Sequence, residues 1–214
     1  AQGNPLFKPR RTQLEPVVWG DRQALQRQLY EAISEYVRIG YNQAIREKKN
    51  YVGFLLILMQ RLVTSSTRAI RTTLERRLEM LQAPEEQLSL FPPGFDEEWP
   101  DLDGQEQVEM LLRMRTKALR NERAEVQLLL DLARRTEATA ADAKAEALLD
   151  WIYRLQQEET DPDLKILLFT EFVPTQEMLR DFLTERGFSV ACLNGSMDMD
   201  ARKQVLQEFA GDVR

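Results

Sequence analysis

The sequence has no histidine, and its 214 residues hold a single cysteine, Cys192. Without histidine there is no Ser-His-Asp triad, no Cys-His pair, no His-ligated zinc and no imidazole to carry a proton near neutral pH. One cysteine excludes an internal disulfide and a thiolate zinc cage. It suits a reducing cytosol, so a cytoplasmic location is expected, and such a residue packs as a small hydrophobe. Long hydrophobic runs are missing too. The longest, YVGFLLILM at 51–59, is closed at once by Gln60 and Arg61. A membrane span needs about 20 such residues, so this run reads as a core helix and no membrane is expected. The opening AQGNPLFKPRR has no apolar centre of the kind a signal peptide needs. Phosphate-cradling loops are absent as well. None of the nine glycines is followed by lysine, and no G-x-G-x-x-G occurs. No catalytic residue and no metal ligand is assigned.

What is present is enough for a soluble core: 43% hydrophobic and 30% charged residues. The net charge of −6 and pI near 5.0 argue against a uniformly basic coat for nucleic acid. They leave room for a local basic patch, because steering depends on where charge sits.

Residues 1–19 are rich in Pro and Arg without a clear period and read as an extended lead-in. Residues 20–160 read as a helical region. Asp21 can cap a helix whose stripe is Leu25, Leu29, Ile33, Val37, Tyr41 and Ile45, ending near KKN at 48–50. A second long helix is predicted over about 51–82, striped by Leu55, Leu58, Leu62, Ala69, Leu74, Leu78 and Leu81, and antiparallel to the first. Residues 83–112 carry nine acids and no Lys or Arg, and FPPGF and WPD break any helix there, so 83–104 reads as an acidic loop. The helical pattern returns over about 105–159, with a join expected in 136–147.

After TDPD at 160–163 the period changes. KILLF reads as a strand, TQEMLRDFLTERG as a helix closed by Gly187, FSVACL as a second strand, NGS as a turn, and DMDARKQVLQEF as a second helix. Strand-helix-strand-helix with short joins predicts parallel pairing, and the pattern breaks off at GDVR where a third strand is expected. The expected fold is therefore α-rich, with an incomplete C-terminal α/β piece at 161–214.

In open α/β sheets ligands bind beyond the carboxyl ends of strands. That rule singles out Thr170 and Glu171 after the first strand, and Asn194, Gly195 and Ser196 after the second. The plainer reading makes them turn and cap residues, with Ser196 or Asp198 capping the next helix. The row Arg61, Arg68, Arg71, Arg76 and Arg77 can clamp phosphates, or it can be a helix face paired with acids. DEEW at 96–99 follows FPPGF, not a buried strand, and is set aside as a metal box.

The segment KILLFTEFVPTQEMLRDFLTERGFSVACLNGSMDMDARKQVLQEF resembles the start of the second RecA-like (P-loop NTPase-type) lobe of superfamily 2 helicases, most closely the Swi2/Snf2 ATPases. LFKPRR, LYEAISEYVR and LMQRLVTSSTRAIRTTLERRLEML resemble the helices between the two lobes in bacterial Snf2-like proteins, among them the RNA-polymerase-recycling ATPase and helicase-like phage-defence proteins. The resemblance implies that Thr170, Glu171 and Phe172, then Asn194, Gly195 and Ser196 with Arg202, lie near the phosphates of a DNA strand. A hydroxyl and backbone amides suit phosphate contact. Glu171 suits it less, and is expected to orient a neighbouring arginine. Arg61, Arg68 and Arg71 form a further candidate basic face.

The resemblance also implies ATP and magnesium as cofactors of the parent enzyme, held by motifs this sequence lacks. The chain is thus expected to be the middle of a DNA-dependent ATPase, unable to hydrolyse ATP alone, with double-stranded DNA as partner and a protein partner open to the helices. The alternative is a helical protein-interaction scaffold with a degenerate α/β appendage. A small-molecule α/β enzyme is disfavoured by the lack of histidine and cysteine nucleophiles.

Overall fold

The computed structural model describes residues 12–46, 50–82, 102–113 and 122–211. The acidic stretch 83–101, and most of the lead-in, therefore lie outside the described residues. A 3-10 turn, Asp21–Gln23, opens into α1 (Ala24–Arg46). It is followed by α2 (Asn50–Ser65), α3 (Thr67–Gln82), α4 (Gly104–Arg113), α5 (Glu122–Thr139), α6 (Ala143–Glu159), α7 (Val173–Thr184) and α8 (Met199–Gly211).

The first five helices share one core. Leu29 and Ile33 of α1, Leu55, Leu58 and Leu62 of α2, and Ile70 and Leu74 of α3 meet Val126, Leu130 and Ala133 of α5. These positions recur at three- and four-residue steps, so each helix turns one apolar stripe inward. The predicted single helix over 51–82 is two helices. At Ser66 the hydroxyl accepts from the Ala69 amide at 3.1 Å and caps α3, while the Ser66 amide still donates to the Leu62 carbonyl at 3.1 Å. α2 and α3 thus run on as one rod with a polar break. Asp142 caps α6 through the Lys144 amide (3.0 Å) and also accepts from the Thr67 amide (3.1 Å) and the Gln26 amide group (2.9 Å). One carboxylate so ties α1, the rod and α6.

Arg77 and Glu122 are buried in this core, with side chains 1% and 2% exposed and 2.7 Å apart. Glu122 opens α5, where the helix dipole favours a negative charge. Tyr36 of α1 lies over the pair, and its hydroxyl is held far above the usual phenol range by burial and by the Glu122 charge.

A second, smaller core joins Ala145 and Ile152 of α6 to Phe182 and Leu183 of α7, with Ile166, Met178, Phe188 and Val190 against it. α7 closes as the sequence suggests: Gly187 takes φ +86, and the Phe188 amide donates back to the Leu183 carbonyl at 3.1 Å.

The expectation of a C-terminal β-α-β-α piece, the start of a RecA-like lobe, is corrected here. Among the described residues there is no strand. Lys165–Phe169 and Phe188–Leu193 run without helix and no backbone ladder joins them. A strand exists only through the partner that takes its N–H and C=O groups, and an apolar run does not supply that partner. Nor is KILLF buried: Leu167, Leu168 and Phe169 are 69%, 41% and 92% exposed, and only Ile166 reaches the small core.

Candidate nucleic-acid interface

The sequence-derived candidates fall into two groups. The first is at the start of α7. Phe172 carries the first α7 carbonyl bond, accepting from the Thr175 and Gln176 amides at 3.1 Å, with Pro174 in the first turn. Its ring is 1% exposed and belongs to the large core, with the Arg61 guanidinium 5.9 Å from the ring centre. Phe172 is therefore an anchor for α7, and its ring is not presented to solvent. Thr170 beside it is half-buried. Glu171 accepts from Arg61, which also donates to the Gln107 side-chain oxygen at 2.8 Å. The arginine beside Glu171 is Arg61. The same carboxylate lies over Gly104, the first residue of α4, where a Cβ would collide with it. The helix dipole of α4 favours a carboxylate there, and Asp103 and Glu106 close the same end as a capping box, with bonds of 2.8 and 2.9 Å.

The basic face along the α2–α3 rod is matched by acids. Arg68 donates to Glu137 at 2.8 Å and to Asp181 at 2.6 Å. Arg71 donates to Glu75 at 2.7 Å and also to Glu137. Arg134 of α5 reaches Glu75 at 3.0 Å. Arg76 is exposed, whereas Arg77 is in the core. The bonds from Arg68 and Arg180 hold the Asp181 carboxyl below the usual carboxylate range.

The second group is the turn before α8. Asn194 accepts from the Ser196 amide and hydroxyl at 3.2 and 2.7 Å. Its own amide donates to Gln176 of α7 at 3.0 Å, and Gln176 donates to the Leu193 carbonyl at 2.9 Å. Arg202 donates to the Met197 and Gly195 carbonyls, both at 3.0 Å. Asn194, Gly195, Ser196 and Arg202 are therefore one hydrogen-bonded unit, steered by α7. The cap of α8 is Asp198, whose carboxylate takes the Ala201 amide at 2.8 Å. Two of the five guanidinium N–H donors of Arg202 are spent on the turn. The remaining guanidinium N–H groups of Arg202 can hold a phosphate oxygen.

Sequence reasoning missed Asp181, Glu137, Thr175 and Gln176. A signal existed on the rod alone. Arg61, Ser65 and Arg68 follow one face of the rod at steps of four and three, whereas Glu171, Thr175 and Asp181 are spaced by four and six and show no single helical face.

No family model matches the chain, and no solved structure matches it. Over 115 residues, 54% of this chain, it is 28% identical to the ATP-dependent RNA helicase DBP3 of Yarrowia lipolytica (strain CLIB 122 / E 150). The chain spans 21% of that protein's length. The similarity amounts to a helicase-like relation over part of the chain. No helix among the described residues is long and apolar enough to cross a membrane.

Proposed function

We propose that this chain is part of a Snf2-type, ATP-dependent DNA translocase, to which it contributes a helical bundle and a phosphate contact at Asn194, Gly195, Ser196 and Arg202. The observation that carries the helicase-like part of the reading is the part-length similarity to an ATP-dependent RNA helicase. The turn before α8 supports it chemically, since it orients Arg202 through two of that residue's five guanidinium N–H groups and leaves the others for a phosphate. ATP and magnesium belong in this reading to the parent motor. The sequence has no Gly-Lys phosphate loop, and no group of three or more acids or cysteines among the described residues could hold a metal ion. Nucleotide chemistry therefore falls to other parts of that motor, and hydrolysis by this chain alone is not expected.

The test is binding of the chain to a short fluorescein-labelled DNA duplex, followed by anisotropy at about 50 to 200 mM salt. Arg202→Ala is expected to weaken binding several-fold and to flatten the log-log salt slope by about 0.9, one phosphate contact. Unchanged affinity and slope would remove Arg202 from the interface. A duplex RNA competitor that displaces DNA at equal concentration would remove the preference for DNA. The exposed side chains of Leu167 and Phe169 favour a second reading, a helical protein-interaction scaffold. A folded chain that binds no duplex would decide for it.

A further inference from the structure

The contact between α7 and the α2–α3 rod is polar almost throughout. Arg61 meets Glu171, the Ser65 and Ser66 hydroxyls each lie 2.8 Å from the Thr175 hydroxyl, and Arg68 meets Asp181. Phe172 is the apolar anchor, in the large core. Within α7, Phe182 and Leu183 belong to the second core with α6, and Met178 and Leu179 pack against it. α7 therefore has a packing partner of its own that does not depend on the rod. The ion pairs are open to water: side-chain exposure is 42% and 41% for Arg61 and Glu171, and 24% and 40% for Arg68 and Asp181. Pairs this accessible contribute little to stability. Polar seams of this kind are the ones that open.

Arg61 and Arg68 are seven residues apart along the rod. At 1.5 Å per residue that is roughly 10 Å, two helical turns. Three nucleotides of one B-DNA strand rise by about the same distance at 3.4 Å each. The two guanidiniums have the reach of a phosphate clamp; Glu171 and Asp181 come to them from a separate element, while Glu137 of α5 also holds Arg68 and Gln107 of α4 also holds Arg61.

We propose that this seam is a releasable mask, in which Glu171 and Asp181 occupy the guanidiniums of Arg61 and Arg68 that a nucleic-acid phosphate backbone would otherwise engage. The inference rests on the nucleic-acid reading above and adds a regulation to it. A strand delivered to the turn at Asn194–Arg202 competes for the same arginines. α7 then tilts off the rod with its α6 core intact, pivoting on Phe172, which stays anchored in the large core.

The test uses the full chain and the same labelled DNA duplex. Glu171→Gln with Asp181→Asn is expected to raise affinity about tenfold and steepen the salt slope by about 1.8, two further phosphate contacts. Glu31→Gln with Glu35→Gln, on exposed α1 acids paired to Arg27 and Arg38, changes the net charge equally and is expected to leave the slope unchanged. A second variant, Ser65→Cys with Thr175→Cys in a Cys192→Ser background, closes the seam by a disulfide. Its oxidised form is expected to bind several-fold more weakly than its reduced form, with the same helical circular dichroism. Equal affinity of the two forms would overturn the mask, even if the carboxylate variant fails to fold. If Arg202→Ala weakens binding while both seam variants leave it alone, the mask falls and the nucleic-acid reading stands. If neither the wild type nor any variant binds the duplex, both fall together.

Discussion

Two phenylalanines three positions apart, Phe169 and Phe172, are 92% and 1% exposed. Replacing Phe172 with Ala opens a cavity where α7 meets the bundle and is expected to cost about 3–5 kcal/mol in urea unfolding. Phe169→Ala is expected to stay within about 0.5 kcal/mol, because little is lost from an already solvated ring. Hydrophobicity is identical at the two positions, so sequence does not separate them; the family resemblance points Phe172 at DNA, and its ring is in the core. Arg77 makes the converse point. It belongs to an arginine row whose residue type signals solvent, and it is buried because Glu122, 45 positions away, arrives to meet it. Arg77→Met leaves the Glu122 carboxylate buried without that partner and is expected to cost about 3–5 kcal/mol. Arg77→Met with Glu122→Leu is expected to recover most of that loss, since an apolar pair of similar volume avoids the desolvation of two charges. If the double variant is no more stable than the single one, the pair is not the reason Arg77 tolerates burial.

Among the elements, helices are the most legible in the sequence. The stripe from Leu25 through Ile33 and the run from Leu55 through Leu62 follow the helical period, and that period is written into local sequence. The Ser65–Ser66 break is not legible, because serines tolerated in a helix and serines that cap one look alike until Thr175 and the Ala69 amide are present. The two expected strands fail for a related reason. KILLF and FSVACL have strand composition, but a ladder depends on a second segment at hydrogen-bonding distance. The α7 seam carries a pH prediction. Asp181 is held below its ordinary pKa by Arg68 and Arg180, so its contribution to stability is full above the unfolded carboxylate range and is lost as pH falls through the lower, folded value. The wild type is therefore expected to lose stability more steeply below about pH 4 than Asp181→Asn, read by thermal unfolding across an acid series. Parallel curves would show that the aspartate contributes nothing to the seam.

For the whole molecule, the net charge of −6 makes any duplex affinity depend on where the cations lie. Binding through Arg202 and the unmasked Arg61 and Arg68 is expected to fall steeply with salt, since each phosphate contact releases counterions. The excluded chemistries are all settled by the sequence alone. A chain without histidine, with one cysteine and no Gly-Lys pair has no triad, zinc cage or P-loop in any conformation. Sequence also determines the helical stripes, because side-chain period is local. The tertiary structure alone decides which charged groups are neutralised. Arg61, Arg68, Arg71 and Arg77 look alike in sequence, yet each meets a different carboxylate set: Glu171, Asp181 with Glu137, Glu75 with Glu137, and Glu122. Ion pairing depends on distances of a few ångströms between residues as many as 113 positions apart. Such distances exist only once the helices have packed.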